Sequence, residues 1–361
     1  MKMRKIVCSF MISVVCFVTA ISGVSATSYD TSKINAAYSK VVEYYKNNNN
    51  LNNADKILAV ESLGLEAESN QFDTSSANLS STSLSKKIVT EVLLGVDPTE
   101  DKETLESQID ENGNVEGSWG TSSDVWTLYA LYVTSSEKTN LIANKLNDEL
   151  AASSVCGYEW GGTYYADYDT TGWVIEGLAV VNKEKYATTI NKAIDYIKNN
   201  TTMTTTGWVT ADNVDTQSQV LEGMFAYDTN SLLNDSYTIH PIDCLLNTQL
   251  SDGSFPSGYN AEYTTAEVAK TLGTYKNGSV FEKAKKAYDK MMNPEQPDNT
   301  KPAQPTDTKK DSQSTNKVET TNQKTTSVKT GDETNVVIFV SLSMVSGGLF
   351  LVLRKEYERV H

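Results

Sequence analysis

The chain contains little cysteine, histidine or proline: its 361 residues include four Cys, two His and seven Pro. Cys8 and Cys16 fall in an N-terminal segment that is expected to be removed, so Cys156 and Cys244 can form one disulfide at most. A fold held together by a disulfide framework is therefore excluded.

Basic residues are also in deficit. Lys and Arg number 31 against 46 Asp and Glu, which gives a formal net charge of -15. Proteins that bind nucleic acids or anionic membranes need clusters of Lys and Arg. The charge balance therefore predicts no nucleic-acid partner.

Long apolar runs are confined to the two ends of the chain. At the N-terminus, three basic residues within the first five precede an uncharged apolar run over residues 6–21, and small residues lead up to Ala26. This pattern predicts a signal peptide over residues 1–26, cleaved after Ala26. An N-terminal membrane anchor is disfavoured because the run is shorter than the ~20 residues that a membrane-spanning helix usually needs.

Near the C-terminus, Thr330-Gly331 precedes an apolar segment over residues 336–353 and then two basic residues. This order resembles a sortase sorting signal, in which a sortase cleaves between Thr and Gly and joins the Thr to peptidoglycan. The resemblance implies a Gram-positive wall protein in which residues 330–361 are the sorting signal.

The residues before Thr330 depart from the usual Leu-Pro-x-Thr-Gly form, because Val328 and Lys329 precede it. The class of sortase is left open. A plain transmembrane anchor is the alternative, in which the basic residues after the span mark a cytoplasmic tail. Both interpretations place the rest of the chain outside the cell, on the wall or, without processing, on the membrane.

Residues 293–329 are rich in Pro, Thr, Gln, Lys, Asp and Asn and contain almost no large apolar side chain. Such a segment cannot bury enough surface to fold, so we predict a disordered linker that spans the wall. The folded domain is then expected over residues 27–292.

A pattern recurs in that domain about every 47 residues. Each copy has an aromatic residue beside glycine, a short polar stretch with Asp or Thr, and a helix that mixes small and apolar residues. The copies begin near residues 117, 160, 207 and 252. A period of this length indicates repeated helix pairs.

Amphipathic stretches between the copies predict outer helices over residues 138–150, 183–199 and 281–292. Two earlier stretches, residues 55–64 and 84–95, have the same mixture of small and apolar residues as the inner helices and end in Gly, which caps helices. The count is then six inner helices. The segment 68–83 is only weakly helical, and residues 80–85 are interpreted as loop.

These repeats resemble the prenyltransferase and squalene-cyclase repeat family, including transcobalamin-like bacterial surface proteins, over residues 32–292. The resemblance implies an all-α fold, an α6/α6 toroid. It does not imply one function, because toroids serve cyclases, transferases, lyases, complement domains and vitamin carriers.

The sequence poorly matches the motifs that carry the known chemistries of that family. His240, Asp243 and Cys244 are zinc-ligand types, but His240-Pro241 is typical of a helix start, with Pro at the first helical position. Residues 167–170 (Asp-Tyr-Asp-Thr) lack the third acid of the cyclase motif, and residues 156–159 (Cys-Gly-Tyr-Glu) lack the glutamine of a complement thioester. Corrinoid capture would need a partner domain. We predict no metal and no cofactor.

The loops before the inner helices of a toroid converge on one rim, and here they carry aromatic and acidic residues. Flat rings beside hydrogen-bonding groups suit sugar faces, planar ligands and protein interfaces. We therefore predict a non-catalytic binding or adhesion module for an extracellular glycan, a host protein or a small ligand. The predicted ligand-binding residues are Trp119, Trp160, Tyr164, Tyr165, Asp167, Asp169, Trp208, Asp215, Phe255 and Tyr259. For Trp119 and Trp208, packing within the repeat is an equal alternative.

An extracellular polysaccharide lyase or hydrolase is the second hypothesis. Carboxylates at Glu159, Asp167, Asp169, Asp212 and Asp215 are expected near one rim, and glycoside hydrolysis uses a pair of them. An Asp just before a helix is more often an N-cap, which is our interpretation of Asp169 and Asp215. Glu176 and Glu222, at equivalent positions inside helices, are expected to be structural.

Overall fold

The computed structural model describes residues 28–68, 72, 79–199, 213–237 and 239–293. The predicted cleavage sites at Ala26 and Thr330-Gly331, the linker beyond residue 293, the apolar segment 336–353, Trp208 and Asp212 lie outside these residues. So do the side chains of Glu159 and Trp160.

The described part is mostly helical, which confirms the predicted all-α class at that level. One short antiparallel hairpin, β1 (Gly157–Trp160) and β2 (Thr163–Ala166), interrupts the helices. The helices are α1 (Thr31–Asn47), α2 (Ala54–Ser62), α3 (Ser81–Leu93), α4 (Thr99–Ser107), α5 (Thr121–Val133), α6 (Thr139–Ser153), α7 (Tyr168–Asn199), α8 (Val214–Asn234), α9 (Pro241–Leu246), α10 (Ala261–Asn277) and α11 (Val280–Met292). Non-helical backbone at Asn182 divides α7, and non-helical backbone at Asp228 divides α8.

Six helices pack on one another in a closed series: α2 on α3, α3 on α5, α5 on α7, α7 on α8, α8 on α10, and α10 back on α2. We call these the inner helices, and for α7 and α8 the term covers the part before the break. Neighbours run in the same direction, since Trp126 of α5 lies beside Trp173 of α7, and Tyr129 one turn later bonds Glu176. Contacts at an early and at a later turn of each helix likewise show that α8 runs parallel to α10 and that α10 runs parallel to α2. Their N-terminal ends therefore lie together.

The remaining helices lie outside this series, with one exception. Helix α4 packs on α3, α6 on α5 and α7, α9 on α8, and α1 on α10 and α9. Helix α11 was predicted as an outer helix over residues 281–292, and this is wrong: it packs on the inner helices α5, α3, α2 and α10. The physical reason is its first turn, where Phe281 is 1% exposed and stacks on Tyr129.

The start of α3 also differs from the sequence prediction. Residues 80–85 were interpreted as loop, but α3 begins at Ser81, and the Ser80 side chain accepts a hydrogen bond from the Ser83 N–H. Serine is a weak helix former yet a strong N-cap. The run of serines therefore starts a helix whose apolar residues then bury against the core.

Glycines allow the closest helix contact, between α7 and α8. A Cβ atom at Gly223 would lie 2.3 Å from the backbone oxygen of Gly172, and one at Gly172 would lie 2.4 Å from the oxygen of Gln219. Backbone atoms cannot move aside as a side chain can, so both positions require glycine.

We expect Gly223→Ala to lower the free energy of unfolding by about 1–3 kcal/mol, because the added methyl group overpacks a backbone contact. Gly177→Ala is the matched control: the nearest atoms to its Cβ would belong to side chains, of which the closest is Leu128 at 3.1 Å. Both changes gain roughly 1 kcal/mol of helix propensity. Urea unfolding of the two variants measures the difference, and equal stabilities would contradict the close backbone contact.

Cys156 and Cys244 are both buried and both free, so no disulfide joins them. Among the described residues, no helix is long and apolar enough to cross a membrane.

Candidate functional site

Exposed aromatic side chains concentrate where the chain enters the inner helices. We call this region the mouth: the first turns of the inner helices and the described residues that lead into them. In the described part of the chain six Tyr or Trp side chains are highly exposed, and five of them lie at the mouth. These five are Trp119, Tyr158, Tyr164, Tyr165 and Tyr259. An exposed ring costs solvation free energy unless a partner covers it, so their clustering marks a candidate binding surface.

Three of these rings belong to the hairpin before α7. Tyr158 and Tyr165 are paired across the strands and stack at 5.5 Å between ring centroids. The Tyr164 hydroxyl donates a hydrogen bond to the Val155 oxygen at 2.8 Å, which fixes the base of the hairpin. Gly157 is required here, because a Cβ atom would lie 2.2 Å from the Tyr165 oxygen.

The other two rings come from separate loops. Trp119, before α5, is 75% exposed, which argues against the alternative that it packs within its repeat. Tyr259, before α10, is 52% exposed. Phe255 is different: it is fully buried, and its N–H donates to Thr265 Oγ1, so it is a core residue that no ligand at the surface can reach.

The acidic residues of the mouth do not cap their helices as the sequence suggested. Asp167 makes the capping contacts of α7, accepting from the Thr170 N–H at 3.0 Å and from its hydroxyl at 2.8 Å. Asp169 lies inside the first turn of α7 and bonds the Thr216 side chain. Asp215 lies in the first turn of α8 and accepts a hydrogen bond from the Tyr259 hydroxyl. The N-cap interpretation of Asp169 and Asp215 is therefore wrong.

Asp169 is held in an unusual protonation state. Burial of its carboxyl group, together with the negative charges of Asp167, Asp215 and Glu267, raises its pKa to about 7, and the Thr216 hydrogen bond only partly opposes them. At neutral pH a large fraction of Asp169 is therefore protonated. Burial is the main cause, and the neighbouring carboxylates add to it.

Deeper between the inner helices lies a group of four buried charged residues, which we call the interior cluster: Glu176, Glu222, Glu267 and Lys270, each at most 1% exposed. Lys270 Nζ is 3.0 Å from Glu267 Oε1 and 3.7 Å from Glu222 Oε2. Glu176 accepts hydrogen bonds from the Ser279 hydroxyl at 2.7 Å and the Tyr129 hydroxyl at 3.3 Å.

Burial dominates the protonation of this interior cluster. It raises the pKa of Glu176 to about 7, although the Ser279 hydrogen bond and Lys270 act in the opposite direction. It also raises the pKa of Glu222 well above its usual range, against the pull of Lys270. One ammonium group faces three carboxyl groups, so some of them must hold protons at neutral pH.

Gln219 connects the interior cluster to the mouth. Its side-chain amide donates to Glu267 Oε2 at 3.1 Å and to the Tyr263 hydroxyl at 3.3 Å. Gln219 and Tyr263 were not predicted as site residues, and nothing in their types marks them in a sequence without the packing of α8 on α10.

The repeat in the sequence contains a signal for the buried Lys270 that our sequence analysis missed. When the copy of the repeat that contains Thr170-Thr171 is aligned with the copy that contains Thr264-Thr265, Glu176 and Lys270 occupy equivalent positions, two repeat lengths apart. Glu222 takes the same place in the intervening copy. A charge reversal at one position of a repeat predicts that the copies meet as an ion pair.

His240 has the role that the sequence suggested. It is the N-cap of α9, its Nδ1 accepts from the Ile242 N–H at 3.2 Å, and Pro241 occupies the first helical position. Within the described ranges, no group of three or more His, Cys, Asp or Glu side chains is arranged to hold a metal ion.

Comparison with family models, with curated proteins and with solved structures found no match for this chain.

Proposed function

We propose that this is an exported, wall-anchored binding protein whose helical domain is an α6/α6 toroid that presents an aromatic rim to extracellular glycans. The closed series of parallel inner helices supports the toroid. So does the spacing of their contacts, because Tyr129–Glu176 and Gln219–Glu267 are 47 and 48 residues apart. These spacings match the period of about 47 residues in the sequence.

The location is proposed from the two ends of the sequence. A basic and then apolar N-terminus with small residues before Ala26 is typical of a secretory signal. The order of Thr330-Gly331, apolar segment and basic tail is that of a sorting signal. Release of the chain from purified walls by a peptidoglycan hydrolase, and loss of that wall linkage in a Thr330→Ala variant, would support it. A chain extracted from wild-type cells by detergent alone would overturn it.

One observation carries the binding function: five of the six exposed Tyr and Trp rings of the described residues lie at the mouth, on three separate loops that precede α5, α7 and α10. Rings with an apolar face and a polar edge are suited to sugars, whose faces are apolar and whose edges carry hydroxyl groups. Carboxylates and amides between the rings supply the acceptors for those hydroxyl groups.

We expect Trp119→Ala and Tyr165→Ala each to weaken binding of the recognised oligosaccharide about 10-fold, since exposed aromatic anchors dominate such surfaces. Calorimetry with the full chain purified in detergent, against a panel of soluble oligosaccharides, is the measurement. Met292→Ala is the matched control, because Met292 is an exposed apolar residue on α11. Unchanged affinity in both aromatic variants would exclude the rim as the binding surface.

A polysaccharide lyase or hydrolase is the second candidate, and one observation favours it. Asp169, with its pKa raised to about 7, can donate a proton, while the neighbouring Asp215 is held by the Tyr259 hydroxyl. Carboxyl groups in different environments are typical of acid–base pairs. New reducing ends or unsaturated products that disappear in Asp169→Asn would establish the enzyme, and intact polysaccharide would eliminate it.

A further inference from the structure

We propose that the mouth binds a saccharide through a positively charged amino group, that is, an amino sugar whose nitrogen is not acetylated. This inference rests on the proposed glycan-binding function and names the ligand class of the same surface. The recognition group is formed by Asp215, Asp169 and Gln219, with the Tyr259 ring beside them.

Two acidic residues of the mouth, Asp169 and Asp215, have no basic partner among the described residues. Neither Asp169 nor Asp215 forms an ion pair with any Lys or Arg of the described residues, whereas the deeper Glu267 is paired with Lys270. Hydrogen bonds from Thr216 and Tyr259 are their contacts. The negative charge of this pair is therefore uncompensated within the described part of the chain.

The sequence also lacks basic residues in the segments that precede the inner helices. The six segments that lead into the inner helices contain ten Asp or Glu and no Lys or Arg, although Lys and Arg make up 31 of the 361 residues. These segments are residues 48–53, 64–80, 108–120, 154–167, 200–213 and 247–260. These six segments therefore contribute no basic residue; the lysines that pair with first-turn acids of other inner helices, Lys56, Lys86 and Lys145, belong to helices.

Two buried acceptor oxygens lack a hydrogen-bond donor among the described residues. Asp215 is 4% exposed; its Oδ2 accepts from Tyr259, but its Oδ1 has no partner. Gln219 is 1% exposed; its amide nitrogen is used by Glu267 and Tyr263, but its Oε1 has no partner. An unsatisfied buried acceptor lowers the stability of the fold. An ammonium group carries three N–H donors and no acceptor, so it supplies what these oxygens lack.

The helix dipoles do not reverse this preference. The N-terminal ends of α7 and α8 each contribute a partial charge of roughly +0.5, which is less than the full charge of one carboxylate. Asp167 and Asp215 together therefore outweigh the two helix ends even where Asp169 is protonated. An anionic ligand would meet net negative charge.

Tyr259 links this charged site to a sugar-binding surface. Its ring is 52% exposed at the rim, while its hydroxyl group donates to Asp215. A sugar stacked on this ring thus has its edge directed to the buried carboxylate. An amino substituent on that edge would meet the unpaired Asp215 oxygen, which is why we assign a saccharide amine rather than a free amine.

The test compares a glucosamine hexamer with an N-acetylglucosamine hexamer at pH 6, by calorimetry on the full chain purified in detergent. We expect the free-amine oligomer to bind at least about 10-fold more tightly, because the acetylated nitrogen has lost its charge. The advantage should disappear in Asp215→Asn. It should persist in Asp252→Asn, an exposed acid of the loop before α10 whose side chain, among the described residues, accepts hydrogen bonds only from Ser254.

Each of the other outcomes would overturn a defined part of the proposal. Equal binding of both hexamers, weakened by Tyr259→Ala, overturns the amine assignment and leaves the glycan-binding function standing. Binding of neither hexamer, with an Asp215-dependent affinity for a lysine-rich peptide, overturns the saccharide and with it the proposed function. An advantage lost equally in Asp252→Asn shows general charge attraction and overturns the site. Thermal unfolding checks that Asp215→Asn folds, and Gln219→Met, which removes the other unpaired acceptor oxygen, provides the second reading if it does not.

Discussion

Replacing Lys270 by Met is expected to lower the free energy of unfolding by about 3–5 kcal/mol at pH 7, because it removes the cation from a buried group of carboxylates. Lys270 is 1% exposed and pairs with Glu267 and Glu222, so the penalty is not reduced by solvent screening. Urea unfolding measures the loss. Lys285→Met is the matched control: Lys285 pairs with Asp289 in a more exposed setting, where an ion pair is worth at most about 1 kcal/mol.

The loss should depend on pH in a definite direction. Burial raises the pKa of Glu176 to about 7 and that of Glu222 well above its usual range. Between the unfolded carboxyl pKa and these raised values, the native state binds more protons than the unfolded state, so stability falls as pH rises. Each such carboxyl group contributes a slope of up to about 1.4 kcal/mol per pH unit.

Without Lys270 these carboxyl pKa values rise further, so the variant should lose most stability at pH 8 and least at pH 5. The pKa of Lys270 itself is raised by Glu222 and Glu267. Its own contribution is therefore complete below the unfolded lysine pKa and does not change in this range. A penalty that is constant from pH 5 to pH 8 would contradict the carboxyl assignment. Adding Glu222→Gln to Lys270→Met should restore part of the stability.

The second large effect is expected for Phe281→Ala, which should lower the free energy of unfolding by about 3–5 kcal/mol. Phe281 is 1% exposed, stacks on Tyr129 with ring centroids 3.6 Å apart, and meets the edge of Trp126 at 6.0 Å. The cavity would open where α11 enters the inner helices. Thermal or urea unfolding gives the value.

Met292→Ala is the control on the same helix, because Met292 is 46% exposed and its truncation should change stability by less than about 0.5 kcal/mol. Similar losses in the two variants would contradict the insertion of α11. The insertion matters for the proposed display on the wall. Helix α11 is the last described element before the segment predicted to be a linker, so a pull on the linker would act first on α11.

The sequence predicted the inner helices well, because their signals are local and repeated. Trp126, Trp173 and the Glu-Gly pairs recur at nearly fixed spacing, and parallel packing then places equivalent residues side by side. The His240 N-cap was predicted for the same reason, since capping involves only neighbouring residues.

Predictions about individual site residues were less reliable, because exposure depends on distant contacts. Trp119 and Phe255 occupy similar places in two copies of the repeat, each near a Gly-aromatic loop. Trp119 is 75% exposed, whereas Phe255 is fully buried. The difference follows from what surrounds each loop, and the local sequence contains no signal for it.

The amino-acid sequence by itself determined the helical class, the repeat, the acidic character and the apolar ends, since each depends on composition or on spacing along the chain. Only the tertiary structure decided that α11 enters among the inner helices, that Asp167 rather than Asp169 caps α7, and that Tyr259 bonds Asp215. It also decided which charges are buried together. These features join residues from helices far apart in sequence, and their energies depend on burial, which a linear pattern does not contain.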